Sequence, residues 1–316
     1  MGNNRIFYSC LGVALAAPNS FPTSILEGVQ SVGITSSKDI EYFLPSASKI
    51  STGFFSSVPD ISFNYSQILH SFEDLGDIDG VNDYVDLYMF VGDEDVACLD
   101  PSKYIICRYL LLESIEYNLS VDNFFILTKN FKGFSRYICS TSQNITVPRC
   151  SESNPSNVDL VGRRQNFHVS GSSLPSVLTS SNALQSISIK SSINRKQISE
   201  TGTKTPYGSA TNYPIETTVS FGLISQNLDN NNDTFSTVSC SGLMNNLTNI
   251  NIAICGRGDV IEGSLSIDDA FLSNVNYNGG DTGGGNQSIT IDYVSYNSTG
   301  IDPLIEFPSN AATGCA

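Results

Sequence analysis

Hydrophobic and polar residues alternate along most of this chain, and the alternation has a period of two. Ile61, Phe63 and Tyr65, for example, stand at every second position with polar residues between them. This period is typical of β-strands that turn one face toward a core and the other toward solvent or a neighbour. No window shows a sustained 3.6-residue period. The pattern therefore predicts an all-β fold with at most one short helix in each half, at Gln67 to Phe72 and within 239–247.

The alternating runs also predict where the strands lie. In the first half they predict strands over 5–17 (kinked at Gly12), 26–35, 61–70 and 84–91, a strand pair over 104–117, and a closing strand over 122–139 with Lys129 and Lys132 on its polar side. In the second half they predict strands over 167–173, 183–193, 214–226, 250–255 and 287–296. The two sets follow one another in the same order.

A stretch of the first half returns in the second. Residues 30–59 align without a gap on residues 185–214, and both copies read as a strand, a long polar excursion and a second strand just after a proline. The identical positions include Gln30 and Gln185, Ile34 and Ile189, Lys49 and Lys204, Gly53 and Gly208, and Pro59 and Pro214. Self-similarity at a long period indicates a repeated structural unit. We therefore expect a duplicated β domain.

The repeat and the composition of its flanks predict the domain boundaries. We expect a first β domain over 1–140, a linker rich in Ser, Asn and Pro over 141–164, a second β domain over 165–300, and a tail over 301–316 whose prolines disfavour regular structure. Each domain contains one long excursion, 36–57 or 194–212. Loops of this length inside compact domains are usually functional, and finding the excursion twice favours a function for it.

The chain is strongly acidic, with a net charge of -15. Because binding of a nucleic acid by phosphate neutralisation needs clustered Lys and Arg, this charge excludes that mode of binding. Two interpretations remain open. The acidic surface either serves solubility, or it repels a polyanion that must pass without sticking.

The sequence contains no pattern that predicts catalysis, a metal site or a cofactor. Its two histidines, His70 and His168, occupy non-equivalent positions in the two copies. The acidic loops 77–83 and 229–233 lack the ligand spacing of a calcium loop, and the glycine-rich 279–285 lacks the Lys of a phosphate-binding loop. We therefore expect no enzyme activity, and a turn at Arg257-Gly258-Asp259.

The eight cysteines and the N-terminus bear on the compartment. The cysteines are scattered, with only Cys139 and Cys150 near enough in sequence to suggest a local disulfide. Residues 5–17 resemble a short signal peptide, and seven Asn-x-Ser/Thr sequons (Asn64, Asn118, Asn144, Asn232, Asn246, Asn286 and Asn297) would suit a secreted glycoprotein. Such sequons also arise by chance in a chain rich in Asn, Ser and Thr. No run reaches the ~20 apolar residues of a membrane-spanning helix.

Three segments of the first half are Phe7-Tyr8 ahead of an apolar strand, the run Gly28 to Gly33, and Val58-Pro59-Asp60 ahead of an alternating strand. In this order they resemble bacteriophage tail tube proteins. The resemblance covers most of 5–138 and extends to 165–296. Since this chain carries two copies, it is more similar to tubes built from trimeric rings with pseudo-sixfold symmetry than to those built from hexameric rings of single-copy subunits.

The resemblance implies a structural virion protein, made in the host cytoplasm, whose β-sandwich domains join into trimeric rings and stack into a tube. Genomic DNA would pass through the lumen without specific binding, and the partners would be further copies of the chain and other tail proteins such as sheath, terminator or baseplate. It further implies that the excursions contact the adjacent ring and that acidic residues face the lumen. The inter-ring candidates are Lys38, Asp39, Ile40, Glu41, Tyr42, Phe43, Lys49, Phe54, Phe55, Arg195, Lys196, Lys204 and Tyr207. The lumen-facing candidates are Glu113, Glu116, Asp122, Asp268, Asp269 and Asp292.

Two alternatives stay open at this point. The first is another virion protein of the same fold, such as a tail terminator, a neck protein or a baseplate hub. The second is a secreted β-sandwich glycoprotein or adhesin that binds receptors through its loops.

Overall fold

A computed structural model of the chain describes residues 8–38, 40–43, 53–56, 60–68, 84–93, 103–121, 123–133, 135–140, 167–171, 174–179, 184–198, 201, 208–224, 247–255, 261–278, 288–297 and 304–306. Most of these residues lie in antiparallel strands. The predicted all-β fold is confirmed. No helix in this described part is long and apolar enough to cross a membrane.

Eighteen strands and one helical turn make up the described structure. The first half contains β1 (Tyr8–Ala16), β2 (Val29–Ser37), β3 (Ile40–Phe43), β4 (Gly53–Ser56), β5 (Asp60–Ile68), β6 (Val85–Asp93), β7 (Lys103–Ser120), β8 (Ile126–Gly133) and β9 (Ser135–Ser140). The second half contains β10 (Phe167–Gly171), the helical turn α1 (Ser176–Thr179), β11 (Leu184–Ser192), β12 (Arg195–Ile198), β13 (Gly208–Thr211), β14 (Ile215–Ile224), β15 (Thr248–Cys255), β16 (Ile261–Asn278), β17 (Ser288–Asn297) and β18 (Leu304–Glu306).

Eight of these strands form a continuous antiparallel layer, the main sheet, in the order β16–β17–β14–β11–β7–β8–β5–β2. Two smaller parts branch from it. The first side sheet contains β1, β6, β9 and the beginning of β7, and the second contains β10, β15, β18 and the beginning of β16. The excursions form separate hairpins, β3–β4 and β12–β13.

The strands β7 and β16 each run through two parts of the sheet. Each is 18 residues long and pairs first in a side sheet and then in the main sheet. Each bends at a residue with positive φ, which is Tyr109 (φ 55°) in β7 and Asp269 (φ 51°) in β16. The apolar run 104–117, predicted as a strand pair, is therefore part of one bent strand.

The two bends lie at Tyr109 and Asp269 of the long strands. Neither residue is a glycine, so the sequence carries no glycine signal for the bend. Both bends are positions where two residues of the long strand face one residue of the neighbouring strand, since the register shifts between Val85 and Leu87 and between Thr248 and Ile250. Such bulges turn a strand sharply.

The pairing of the second half repeats that of the first. In the hairpins, Ile40 pairs with Ser56 as Arg195 pairs with Thr211, and the three following pairs match in the same way. A bulge at Gln30 in the β2–β5 pair returns at Gln185 in the β11–β14 pair. The predicted duplication therefore has a counterpart in strand order and register, while the predicted linker 141–164 lies outside the described residues.

The core lies between the main sheet and the two side sheets. Alternate residues of the main-sheet strands are buried, as in β5 and β14, and they join residues of both side sheets in one hydrophobic cluster. A smaller cluster covers the other face of the first side sheet, where Phe21 and Ile25 pack against Tyr88 and Phe90. Because one cluster contains residues of both halves, the two copies share a core.

Several sequence predictions need correction in detail. Lys129 lies on the core face of β8 and is 6 % exposed, so it is not on the polar side of that strand as Lys132 is. The predicted closing strand 122–139 is two strands, β8 and β9. The C-terminal tail contributes a short strand, β18, that pairs with β16. The first two residues of the helical turn predicted at Gln67 to Phe72 belong to β5, and 69–72 fall outside the described structure. Of the helix predicted within 239–247, only Leu247 is described, and it is not helical.

Candidate assembly surfaces

The two halves meet at one pair of strands, which we call the internal junction. It joins β11 of the second half to the C-terminal part of β7 of the first half, in antiparallel register from Ser186 opposite Ser120 to Ser192 opposite Ser114. Ile187 and Ile189 on one side and Tyr117 on the other are buried in the core here. Burial also raises the pKa of the Tyr117 hydroxyl above its ordinary value. The junction is thus a packed part of the sheet.

The outer edges of the main sheet are the counterparts of these two strands. One edge is β2, which occupies in the first half the place of β11, and the other is the C-terminal part of β16, which occupies the place of β7. Within the described residues, β2 pairs with β5 alone, and this part of β16 pairs with β17 alone. The two outer edges of the main sheet therefore correspond to the two strands that are paired in its middle.

Burial differs between the internal junction and the outer edges. Tyr117 at the junction is 1 % exposed, whereas its counterpart Tyr277 on β16 is 41 % exposed. The buried Ile187 and Ile189 correspond to Val32 and Ile34 on β2, which are only partly buried. Exposed strand edges carrying apolar residues are sites for pairing with another chain.

The face of the main sheet that points away from the core is polar. In most strands the residues alternating with the core positions are Ser, Thr, Asn or charged. They bond to one another across strands, for example Asn130 Nδ2 to Ser114 Oγ at 2.9 Å and Asn274 Nδ2 to Asp292 Oδ2 at 3.0 Å. The charged residues described on this face are Asp60, Glu113, Glu116, Glu216 and Asp292 with Lys132 and Lys190. The face is therefore hydrophilic with a negative excess.

The structure separates the predicted lumen-facing residues into three groups. Glu116 and Asp292 lie on the polar face of the main sheet, and Glu113 lies at a bulge of β7, where it lines a polar cleft of about 480 Å³ on that face. Asp268 and Asp269 are exposed at the bend of β16 instead. Asp122 lies outside the described residues.

The predicted inter-ring residues lie in or beside the two small hairpins. Lys38 and Ile40 are exposed, Glu41, Tyr42 and Phe43 belong to β3, Phe54 and Phe55 to β4, and Lys196 to β12. Asp39, Lys49, Lys204 and Tyr207 lie outside the described residues. Neither hairpin pairs with the main sheet within the described part of the chain.

Arg195 anchors the second hairpin to the internal junction. Its Nε donates to the Leu112 carbonyl oxygen at 3.0 Å, and its Nη1 donates to Thr211 Oγ1 at 3.0 Å. Partial burial lowers the pKa of the guanidinium, while nearby Tyr84, Tyr213 and Glu113 oppose that shift. A residue predicted to contact another ring is therefore engaged, through these bonds, within its own chain.

One pair of structural residues was missed in the sequence. Asp86 is fully buried, and its carboxylate accepts from the backbone N–H groups of Tyr109 (2.9 Å) and Asn19 (2.8 Å) and faces Arg108. In the second half Asn249 takes the same place, and its Oδ1 accepts from the Asp269 N–H at 3.2 Å. Each bend of a long strand is thus held by a side-chain oxygen from the neighbouring strand. Aligning 84–93 with 247–256 would have paired these two residues.

Within the described part of the chain, the residues considered for catalysis or metal binding do not come together in a site. His168 is exposed on β10, and His70 lies outside the described residues. No group of three His, Cys, Asp or Glu side chains among the described residues could hold a metal ion. Cys150, the predicted disulfide partner of Cys139 in β9, lies outside what the structure describes, as do the loops 77–83, 229–233, 257–259 and 279–285.

Comparison with known proteins adds no relative. No protein-family model matches the chain, and no curated protein matches it in sequence. The relationship to tail tube proteins stays a prediction.

Proposed function

We propose that this chain is a structural subunit of a hollow tube of the phage-tail type. One observation supports this proposal above all: the two outer edges of the main sheet are the counterparts of the two strands joined at the internal junction. Repeating that junction between chains adds eight strands per chain to one continuous sheet. A head-to-tail contact that closes on itself gives a ring.

The polar face supports the same function. A sheet that curls into a ring needs its apolar face covered by the side sheets, which leaves the polar face to line a central channel. The acidic excess there would repel the phosphates of a passing nucleic acid. In this proposal the protein has no catalytic role and acts by polymerising.

We expect three chains in each ring, because two copies of the repeat per chain then give six similar units. Electron microscopy of the purified full chain should show closed rings or hollow tubes, and native mass spectrometry of rings should give a trimer. Six chains per ring would contradict the trimeric assignment. A dispersed, glycosylated monomer at every concentration would contradict the tube and favour a secreted glycoprotein.

The hairpin tips provide a test of ring stacking. Phe43 pairs with Gly53, and Ile198 pairs with Gly208, so a two-residue Asn-Gly turn can replace 44–52 or 199–207 without changing either hairpin register. We expect the double replacement to form rings that no longer stack, because the inter-ring contact is removed. Microscopy that shows tubes of unchanged length would overturn this role, and each single replacement shows which tip contributes more.

A further inference from the structure

We propose that neighbouring chains join through β2 and β16 in the register of the internal junction, and that Ile40 of one chain and Leu247 of the next close this joint with an apolar contact. The partner is a second copy of the same chain. This inference rests on the proposed function and specifies its interface.

The register follows from the repeat. At the internal junction Lys190 lies opposite Glu116, and Ile189 lies opposite Tyr117. Matching β11 with β2 and β7 with β16 places Thr35 opposite Asn276 and Ile34 opposite Tyr277. The match is supported by the bulges, since Gln185 corresponds to Gln30, and the bulge between Leu112 and Ser114 corresponds to that between Leu272 and Asn274.

Matching the joint between chains to the internal junction also brings two exposed hydrophobic residues together. Ile40 has the hairpin position of Arg195, and Leu247 precedes β15 as Tyr84 precedes β6. At the internal junction Arg195 bonds to the Leu112 carbonyl oxygen, and Tyr84 precedes Val85, which pairs with Leu110, so both residues lie beside the same stretch of β7. Their counterparts Ile40 and Leu247 are 52 % and 60 % exposed in the single chain. Contact between them would remove apolar surface from water, which favours association.

The two kinds of joint therefore differ in chemistry. Beside the internal junction Arg195 donates to the Leu112 carbonyl oxygen, whereas two aliphatic side chains would meet beside the joint between chains. Joining β11 of one chain to β16 of the next would instead place Arg195 against the aliphatic Leu247. Burying a guanidinium group against an aliphatic side chain costs free energy, so this combination of edges is disfavoured. This difference favours joining β2, and not a displaced β11, to the next chain.

Cysteine cross-linking tests the register. Thr35 and Asn276 are exposed on the polar face, so replacing each by cysteine leaves the core intact. We expect a mixture of the Thr35→Cys and Asn276→Cys proteins to form a disulfide-linked dimer under mild oxidation, with the two peptides identified by mass spectrometry. Neither variant alone should link to itself, because the contact is head to tail. The unmodified chain controls for its own cysteines.

A shifted pair provides the matched control. In the proposed register Ser37 lies diagonally to Asn276, at about 7–8 Å, beyond disulfide reach. The mixture of Ser37→Cys and Asn276→Cys should therefore link much less. Equal linking of both mixtures, linking of either variant to itself, or rings without any link at residue 35 would overturn the register. If the unmodified chain forms neither rings nor tubes, the proposed function fails together with this inference.

A substitution swap tests the apolar contact. Ile40→Arg should raise the concentration needed for assembly about tenfold, because a charge then faces Leu247. Adding Leu247→Tyr should restore assembly, because the pair then reproduces Arg195 and Tyr84. Sedimentation velocity over a concentration series gives the midpoints. No effect of Ile40→Arg, or no rescue by Leu247→Tyr when Leu247→Tyr alone assembles normally, would overturn the contact.

Discussion

Replacing Ile34 by lysine should abolish association between chains and leave each chain folded. Ile34 lies on the core side of the edge strand β2 and is only partly buried in the single chain. In the proposed joint it becomes buried as Ile189 is at the internal junction. A lysine there can reach water only while the edge is free, and inward-pointing charges at edges block edge-to-edge pairing. Sedimentation velocity should show a monomer, and circular dichroism an unchanged β spectrum.

The neighbouring Thr35→Lys variant is the control for charge. Thr35 is exposed on the polar face, and its counterpart at the internal junction is already a lysine, Lys190. We therefore expect Thr35→Lys to assemble. If Ile34→Lys assembles like the unmodified chain, β2 is not the edge that joins chains. If Thr35→Lys also blocks assembly, the effect is one of charge and not of burial.

Replacing Asp86 by alanine should lower the free energy of unfolding by about 3–5 kcal/mol, because two backbone N–H groups lose a charged acceptor and each such hydrogen bond contributes about 1.5–3 kcal/mol. The change leaves the N–H groups of Tyr109 and Asn19 without their acceptor and removes the carboxylate beside Arg108. The bend of β7 depends on these bonds. Urea unfolding measures the effect, and it should be carried out at one low protein concentration because association would add to stability.

Two further variants separate the charge from the bend. Asp86→Asn keeps an oxygen for the Tyr109 N–H, as Asn249 does for Asp269, so the loss should be smaller, about 1–2 kcal/mol. Asn249→Ala removes one bond and should lose about 1 kcal/mol. A loss for Asp86→Ala no larger than that for Asn249→Ala would show that the carboxylate adds nothing beyond a single hydrogen bond.

Alternation and self-similarity were sufficient to predict the all-β class and most strands. The aligned Gln30 and Gln185 turn out to mark the same bulge in both copies, and the register shift beside Gly12 lies where a kink was expected. These features are local, so short stretches of sequence encode them.

Features that depend on distant partners were not predicted. The bend at Tyr109 requires a carboxylate 23 positions earlier in the chain, and neither Tyr109 nor Asp269 is a residue type that signals positive φ as glycine does. An unbroken apolar run therefore looked like two strands. Lys129 looked exposed because charge usually indicates solvent, although its alternation with Leu127 and Phe131 places it in the core.

The candidate edges became visible only in the folded chain. The sequence predicted two similar units and, through its resemblance, a ring, but not which strands end the sheet. That follows from the pairing of β11 with β7, which lies between distant parts of the chain. Likewise, the acidic residues could be counted, but only the register assigned Glu116 and Asp292 to the polar face and Asp268 and Asp269 to a bend.

The internal junction has a consequence for the equilibrium of the proposed assembly. Its two strands belong to one polypeptide, so they meet at a high effective concentration that does not change with dilution. At equilibrium the amount of a closed ring of three chains should rise with about the third power of the free chain concentration, against about the sixth power for a ring of six separate single-repeat units. Carrying both repeats on one chain would therefore make incomplete rings less common at low chain concentration than they would be for separate single-repeat units.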